Sequence, residues 1–370
     1  MQYKIIFSKH DLVSATGINY IYKSYLKCFK EKHDIAITTK SKFNYLDITP
    51  GGIFFLIYTI FLPILILPSF FLRSLISSKS NKKIFVVSHM HNIRNLFLNI
   101  FQDVRGIYCV DSIFNYHKLR FAQKPKYLRF IFLIPSYLCE LNFVIMTECP
   151  LFFNSSEVAE EFTKRYKYFI SDNREIMCLN IGHPSSRPLY KKNVNPDKNN
   201  FAIYGNFLFY ESEFGLNRLI EELKNIDENS SKVHTNIHIF GKNSNQMYYK
   251  YNDLIIAGVQ FSVLGMVDSI EDVLQSCDGV IIPVEKTGGL KIKLLETLNY
   301  GLYALTTQNV AKHLEGYKNF SHLKVFNDIE HIVKNLGTLD IKDPKNFIKG
   351  ESLPKWETHY RLVERLFSGE

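Results

Sequence analysis

The sequence predicts an α/β protein of two doubly wound domains, and three observations carry that prediction. Short apolar runs alternate with longer amphipathic runs along most of the chain, the pattern of βαβ units around parallel sheets. Several apolar runs end in glycine or a polar residue, where open parallel sheets place their ligand-facing turns. The chain has 370 residues, enough for two domains, and residues 184–200 are rich in Pro, Ser, Lys and Asn, as linkers are.

Taken in order, residues 3–8 read as a buried strand, and a loop from His10 to Thr16 closes at Gly17. An amphipathic helix follows, with Ile18, Ile21, Tyr22, Tyr25, Leu26 and Phe29 on one face. Residues 35–38 supply a second strand and 84–88 a third, ending in His89-Met90-His91. Residues 106–110 supply a fourth, ending at Asp111; 143–146 and 151–153 read as further strands. Asn154-Ser155-Ser156-Glu157 carries N-cap chemistry for a helix. Residues 176–179 close the first half, and the linker then leads to apolar runs beginning at Phe201, Ile237 and Val259, with alternation to about residue 335. The tail, 354–367, reads as a helix with Trp356, Tyr360, Leu362 and Leu366 on its apolar side.

Residues 51–72 contain no charge, and Arg73, Lys79, Lys82 and Lys83 follow. About 20 such residues span a bilayer. A single crossing, however, would separate the first strand–helix–strand from the rest of its own sheet, and Pro63 and Pro68 interrupt a plain helix. The segment 51–76 therefore reads as a kinked element dipping into a membrane, with the lysines on anionic headgroups. A core helix or a dimer interface is the competing reading.

The net charge of +9 favours anionic partners: a nucleotide sugar, a lipid diphosphate or an anionic membrane surface. Nucleic acid is not expected, because there is no zinc spacing, RNP-like aromatic motif or concentrated basic arm. The six cysteines are scattered without a CxxC and read as free thiols in a reducing compartment. The N-terminus reads as a first strand rather than a signal peptide.

Residues 281–307 say most about chemistry. An apolar strand ends at Pro283; a loop bearing Glu285, Thr287, Gly288, Gly289 and Leu290 follows; then Lys291, Lys293 and Glu296 enter a helix that Gly301 ends. A glycine loop feeding a helix N-terminus favours phosphate, and lysines there add point charges for a diphosphate. Glu296 shares a helix face with Lys293 and is placed to accept hydrogen bonds from sugar hydroxyls. The plain alternative is a solvated Lys/Glu pair after an ordinary turn.

The order Pro283, Gly289, Lys291, Lys293, Glu296-Thr297-Leu298, Gly301, Thr306-Thr307 resembles the donor-site signature of GT-B glycosyltransferases, especially the family 4-like enzymes of glycosyl transferases group 1. Residues 201–206, 237–242, 258–267 and 270–278 resemble the preceding elements of that donor domain, in the same order. The resemblance implies a GT-B fold: two Rossmann-like doubly wound domains facing a cleft. Residues 1–188 would bind the acceptor, 196–350 the nucleotide sugar, and a helix in 351–370 would cross back onto the first domain.

For the site, the resemblance implies donor contacts at Gly205, Asn206, Lys242, Thr287, Gly288, Gly289, Leu290, Lys291, Lys293 and Glu296. The glycine loop ending at Gly17 is a second candidate for phosphate contact. Asp111 and His91, with His89 beside it, end strands on the acceptor side and are candidate catalytic groups. Many relatives have histidine where Asp111 stands. Of the two glutamates common in the family, the second corresponds to Glu296 and the first falls on Gly288, leaving Glu285 as the nearest substitute. The implied activity is metal-independent, retaining transfer from a nucleoside-diphosphate sugar, UDP- or GDP-linked, with no cofactor. A glycan or polyprenyl-linked acceptor would receive the sugar at the inner membrane face, in bacterial surface-polysaccharide synthesis. A non-hydrolysing nucleotide-sugar epimerase and a non-catalytic binding partner of another transferase are the rival readings.

Overall fold

The computed structural model describes residues 3–7, 16–29, 35–38, 83–88, 103–109, 112–122, 124–179, 181–182, 198–207, 210–226, 234–339 and 356–368. The apolar segment 51–76 and its expected membrane contact lie outside the described residues, as do His89, His91 and Asp111. The chain forms two units: residues 1–184 with 354–370, and residues 185–353.

The first unit is built on a parallel sheet of six strands: β1 (Tyr3–Phe7), β2 (Ile35–Thr38), β3 (Lys83–Ser88), β4 (Asp103–Cys109), β5 (Leu151–Phe153) and β6 (Ile176–Cys178). Their order is β2-β1-β3-β4-β5-β6. Ile5, Ile6, Phe7, Phe85, Val86, Val87, Ile107 and Tyr108 are essentially inaccessible, as strands covered on both faces must be. Among the described residues, four helices before the linker accompany the sheet: α1 (Thr16–Phe29), α2 (Ile113–Arg120), α3 (Lys126–Met146) and α4 (Ser156–Tyr166). Ser155 caps α4, its hydroxyl accepting from the Val158 N–H.

Two expectations are corrected here. Residues 143–146 are not a strand but the last turn of α3. Their apolar, partly β-branched composition favours a strand only in isolation. In the protein, Phe143 and Val144 are buried and the end of the helix is tied down. The Thr147 N–H and hydroxyl both bond to the Phe143 carbonyl at 3.1 and 2.6 Å, and Arg174 bonds to the Val144 carbonyl at 2.7 Å. Gly17, expected to close a loop, instead lies in the first turn of α1.

The C-terminal helix, Trp356–Ser368, packs inside this first unit. Tyr25 of α1 meets Trp356, His359 and Tyr360 edge-on at 6.2, 5.3 and 5.5 Å, and its hydroxyl hydrogen-bonds the His359 ring. Phe367 stacks on Tyr3 at 4.7 Å, and Lys83 donates to the Phe367 carbonyl. The buried face is Trp356, His359, Tyr360, Val363 and Phe367; Leu362 and Leu366 are only partly covered. Trp356 and Tyr360 turn inward as expected, while Val363 and Phe367 take the places expected of Leu362 and Leu366.

The second unit has a seven-stranded sheet in the order β13-β12-β11-β7-β8-β10-β9. The strands are β7 (Asn199–Tyr204), β8 (Thr235–Phe240), β9 (Ile255–Ile256), β10 (Val259–Gly265), β11 (Gly279–Ile282), β12 (Tyr303–Thr307) and β13 (Leu323–Phe326). All pairs are parallel except β9 with β10. Strand β7 starts at Asn199, inside the stretch read as linker, because the Asn200 N–H is claimed by the Asp278 carboxylate at 2.7 Å. The helices that matter for the site are α5 (Tyr210–Lys224), α6 (Ile270–Leu274), α7 (Ile292–Asn299) and α8 (Ile329–Asn335). Phe201, Ile203, Leu216, Leu219, Ile237, Ile239, Phe261, Ile281, Leu305, Ile329 and Ile332 form one continuous core between the sheet and α5 and α8.

Candidate functional site

From β7 the second sheet is wound in both directions: β8 and β10 follow on one side, β11, β12 and β13 on the other. The order therefore reverses between β7 and β11, and ligands of open α/β sheets bind at the carboxyl ends of strands flanking such a reversal. The turn after β7 and the loop after β11 meet there.

The turn after β7 is built for close approach. Gly205, Gly241 and Gly265 follow or end three adjacent strands with φ of +151°, +115° and +75°. A Cβ on Gly241 would lie 2.4 Å from the Gly205 carbonyl oxygen, and one on Gly265 2.4 Å from the Asn245 side-chain oxygen. Glycine alone adopts these positive φ values without strain, and at Gly241 a side chain would also displace backbone. The Gly205 N–H bonds to the Phe240 carbonyl at 3.2 Å and the Gly241 N–H to the Gly265 carbonyl at 2.8 Å.

The loop after β11 is held from the next strand. The Thr306 hydroxyl donates to the Ile282 carbonyl at 3.2 Å, and the Thr307 hydroxyl to the Val284 carbonyl at 2.6 Å. Asn309 bonds to the Glu285 carbonyl at 2.8 Å. Within the loop, Thr287 donates to the Gly289 carbonyl at 2.8 Å, Gly288 lies between them, and Leu290 is buried. Helix α5 abuts this loop: a Cβ on Gly215 would sit 1.7 Å from the Pro283 carbonyl oxygen.

Lys291 is the N-cap of α7, and no side chain caps that helix. Its ammonium pairs with Glu211 in the first turn of α5. Lys293 bonds to the Tyr204 carbonyl at 3.2 Å, and its ammonium lies 3.5 Å from where a Gly205 Cβ would be. Burial, reinforced by Lys291, lowers its pKa to about 8. Glu296, one turn on, accepts from the Tyr204 hydroxyl at 3.1 Å, and burial raises its pKa to about 7. Tyr204 itself stacks face to face on Phe240 at 5.3 Å. Two lysines, one a desolvated cation, thus converge with a carboxylate near neutrality on a backbone stripped of side chains. That set can hold a diphosphate and a vicinal diol.

The structure brings together Gly205, Lys291, Lys293 and Glu296. Asn206 stands beside this group and accepts from the Asn243 side chain at 3.1 Å. Glu285 is turned to Arg218, 3.9 Å away. Lys242 is exposed at the turn after β8, where its carbonyl accepts from Phe207 at 3.0 Å. Sequence reasoning missed Tyr204, Glu211 and Gly215. Tyr204 was legible as the last strand residue before a glycine turn; Glu211 and Gly215 act through partners roughly 70–80 residues away, and no local pattern marks them.

The first unit holds a second polar cluster that sequence reasoning also missed. Glu140 of α3 is fully buried. It accepts from the Ser112 hydroxyl at 2.7 Å, the Phe114 N–H at 3.0 Å, the Tyr166 hydroxyl at 2.9 Å and Arg165 at 3.2 Å. Arg165 also lies 4.2 Å above the Phe114 ring. Every partner here is internal.

Residues 198–339 match the family model of glycosyl transferases group 1. No curated protein is matched by sequence. Among solved structures, the Anabaena protein Alr3699/HepE in complex with UDP-glucose is similar over the whole of both chains, with a TM-score of 0.56 at 9% identity. Trehalose 6-phosphate synthase from Burkholderia multivorans gives a TM-score of 0.53 at 8% identity, over all of this chain and 93% of that one. TarM, known from S. aureus, gives 0.54 at 11% identity over 81% of this chain, which spans 57% of the TarM chain. The fold is that of the GT-B glycosyltransferases.

Proposed function

From the match of residues 198–339 to glycosyl transferases group 1 and the likeness of the fold to GT-B enzymes, we propose that this chain transfers a sugar from a nucleoside-diphosphate sugar to a glycan or lipid-linked glycan. The observation that carries the reading is the convergence of Lys291, Lys293 and Glu296 on Gly205 at the sheet's reversal point. The two ammonium groups neutralise the diphosphate, most strongly as the glycosidic bond breaks and charge builds on the leaving group. Glu296, oriented by Tyr204, accepts from the ribose hydroxyls. Diphosphate binding takes Lys291 from Glu211, exchanging one anionic partner for another.

UDP is the favoured nucleotide, since the similar HepE structure holds UDP-glucose. Transfer is proposed to be retaining and metal-independent, as the donor signature implies. The charge-free run 51–72 supports a polyprenyl-linked acceptor at the inner face of the plasma membrane, in bacterial surface-polysaccharide synthesis. Glu285, 3.9 Å from an Arg218 that is paired with Glu222 at 2.5 Å, remains a candidate for contact with the donor sugar.

The test is calorimetric titration of the protein with UDP, GDP, CDP, ADP and dTDP, followed by turnover of the matching nucleotide sugar with and without a lipid-linked acceptor. Binding of one diphosphate that is lost in Lys293→Ala, with acceptor-dependent release, supports the reading. Binding of none by the folded protein refutes it. Interconversion of the nucleotide sugar without acceptor identifies an epimerase, and binding without turnover a non-catalytic partner.

A further inference from the structure

The helical hairpin α2–α3 is not used by the donor site, and its outer face is unlike the rest of the described surface. Tyr127, Phe130, Ile131, Ile134, Leu138 and Ile145 of α3 are all exposed, with Tyr127, Phe130 and Ile134 at 67%, 59% and 54%. At 3.6 residues per turn these six fall within about 100° of arc, one unbroken stripe. Scattered exposed apolar residues need no explanation; a contiguous aromatic and aliphatic stripe does.

Charge along the first half of α3 and the turn before it is one-sided; the exposed Glu148 and Glu161 lie beyond the far end of the stripe and beside the start of α2. Between residues 112 and 139 the chain carries Lys118, Arg120, Lys124, Lys126 and Arg129 and no Asp or Glu. Lys118, Lys124 and Lys126 are exposed around the turn between the helices. That turn is braced: Phe121 stacks on Phe132 at 4.1 Å, and Arg129 donates to the Lys124 carbonyl at 2.7 Å.

Helix α3 is long and apolar enough to cross a bilayer. Its second half is instead fixed in protein. Cys139, Glu140, Asn142, Phe143 and Val144 are buried, and Glu140 is bonded to α4 through Arg165 and Tyr166. A helix so anchored cannot pass through lipid, but its first half, about 20 Å long at 1.5 Å per residue, is free to lie on it. An apolar stripe with Tyr and Phe, rimmed by lysines without carboxylates, has the chemistry of an interfacial membrane helix.

We propose that the α2–α3 hairpin docks on an anionic lipid bilayer, with Tyr127, Phe130, Ile131 and Ile134 entering the headgroup–acyl boundary and Lys118, Lys124 and Lys126 on the headgroups. This surface is separate from the segment 51–76 and independent of the donor-site reading.

The test uses the full chain in vesicle flotation with phosphatidylglycerol-containing and pure phosphatidylcholine vesicles. The hairpin variant Lys124→Glu/Lys126→Glu/Phe130→Glu/Ile134→Glu alters exposed positions only. It is expected to lower partition onto the anionic vesicles about tenfold while leaving the calorimetric UDP response of the parent unchanged. A second measurement reads the hairpin directly. Phe130→Trp fluorescence is expected to be quenched by brominated acyl chains, beyond any quenching of the parent, whose single tryptophan, Trp356, is buried. The proposal is overturned by absence of parent binding, by unquenched Phe130→Trp on bound vesicles, or by equal binding to neutral vesicles. It is also overturned if the parent sediments as a dimer that the hairpin variant dissociates, which would make a second copy the occupant.

Discussion

Each unit concentrates ionisable side chains in one place, and the two concentrations differ in how they are satisfied. In the first unit, Glu140 faces a hydroxyl, a backbone N–H, a phenol and a guanidinium, all supplied by the protein. In the second, Lys293 has one backbone carbonyl and a lowered pKa, Glu296 has one phenol and a raised pKa, and Lys291 is held by a partly exposed carboxylate. A buried charge whose bonds are all internal stabilises a particular packing. A half-buried charge with few internal hydrogen bonds costs the fold stability and is suited to a ligand that completes it. The first cluster therefore has the character of architecture, and the second fits the binding role proposed for it.

The contrast is broken most severely at Glu140. Glu140→Ala should cost about 3–5 kcal/mol, because it removes one partner of a buried ion pair and leaves the Ser112 and Tyr166 hydroxyls and the Phe114 N–H without their acceptor. Chemical denaturation measures this, and UDP affinity in the folded fraction should not change. An unaltered stability would mean that the first cluster is not structural. Next in size, Lys293→Ala should weaken UDP binding by about 2–3 kcal/mol, the worth of a charge-assisted contact, while leaving thermal stability equal or higher. A fall in stability with intact affinity would exchange the roles assigned to the two clusters.

The third effect is a pH dependence. Lys293, with a pKa of about 8 in the free protein, is charged below that value. UDP affinity should fall as pH rises through 8, and Lys293→Arg should abolish that fall; the separate change near pH 7, where Glu296 gains its proton, should remain in Lys293→Arg and vanish in Glu296→Gln. Glu296 has the opposite linkage for folding. Its pKa is raised from 4.5 to about 7, so the folded protein holds the extra proton in that window. Stability contributed by this group is full below pH 4.5 and is lost as pH rises through 7, and Glu296→Gln should remove that slope from a series of melting curves. The smallest effect belongs to Glu211→Gln, which releases Lys291 from its resting partner. UDP should bind more tightly by less than about 1 kcal/mol, the worth of a partly exposed pair. Weaker binding in this variant would mean that Glu211 orients Lys291 rather than competes for it.

Much of the second unit was legible because its strands are short, buried on both faces and closed by glycines whose positions only glycine can fill. Lys291, Lys293 and Glu296 were legible for the same reason: the loop, the helix start and the three side chains lie within one local stretch. The Glu140 cluster was not, since it is assembled from α2, α3 and α4, and no periodicity announces a partner on another helix. Residues 143–146 misled because four apolar residues look alike in strand and helix, and the arbiter is distant: Arg174 and Thr147 secure the helix end. The C-terminal helix was found, and Trp356 and Tyr360 meet Tyr25 as their expected burial requires, but Leu362 and Leu366 yield the inner face to Val363 and Phe367. Asp111, His89 and His91 were named from strand ends, and their places lie outside the described residues.

The return of the C-terminal helix to the first unit has a consequence for how the chain is made. Tyr25 and His359 are hydrogen-bonded partners 334 positions apart, so the ribosome emits the whole second unit between them. Until residues 356–368 emerge, Tyr3, Tyr25 and Lys83 lack the rings and carbonyl they later meet, while the second unit already has every strand it needs. The order of synthesis thus favours a chain whose second unit can close before its first. The helix Trp356–Ser368 then supplies the last contacts of the first unit.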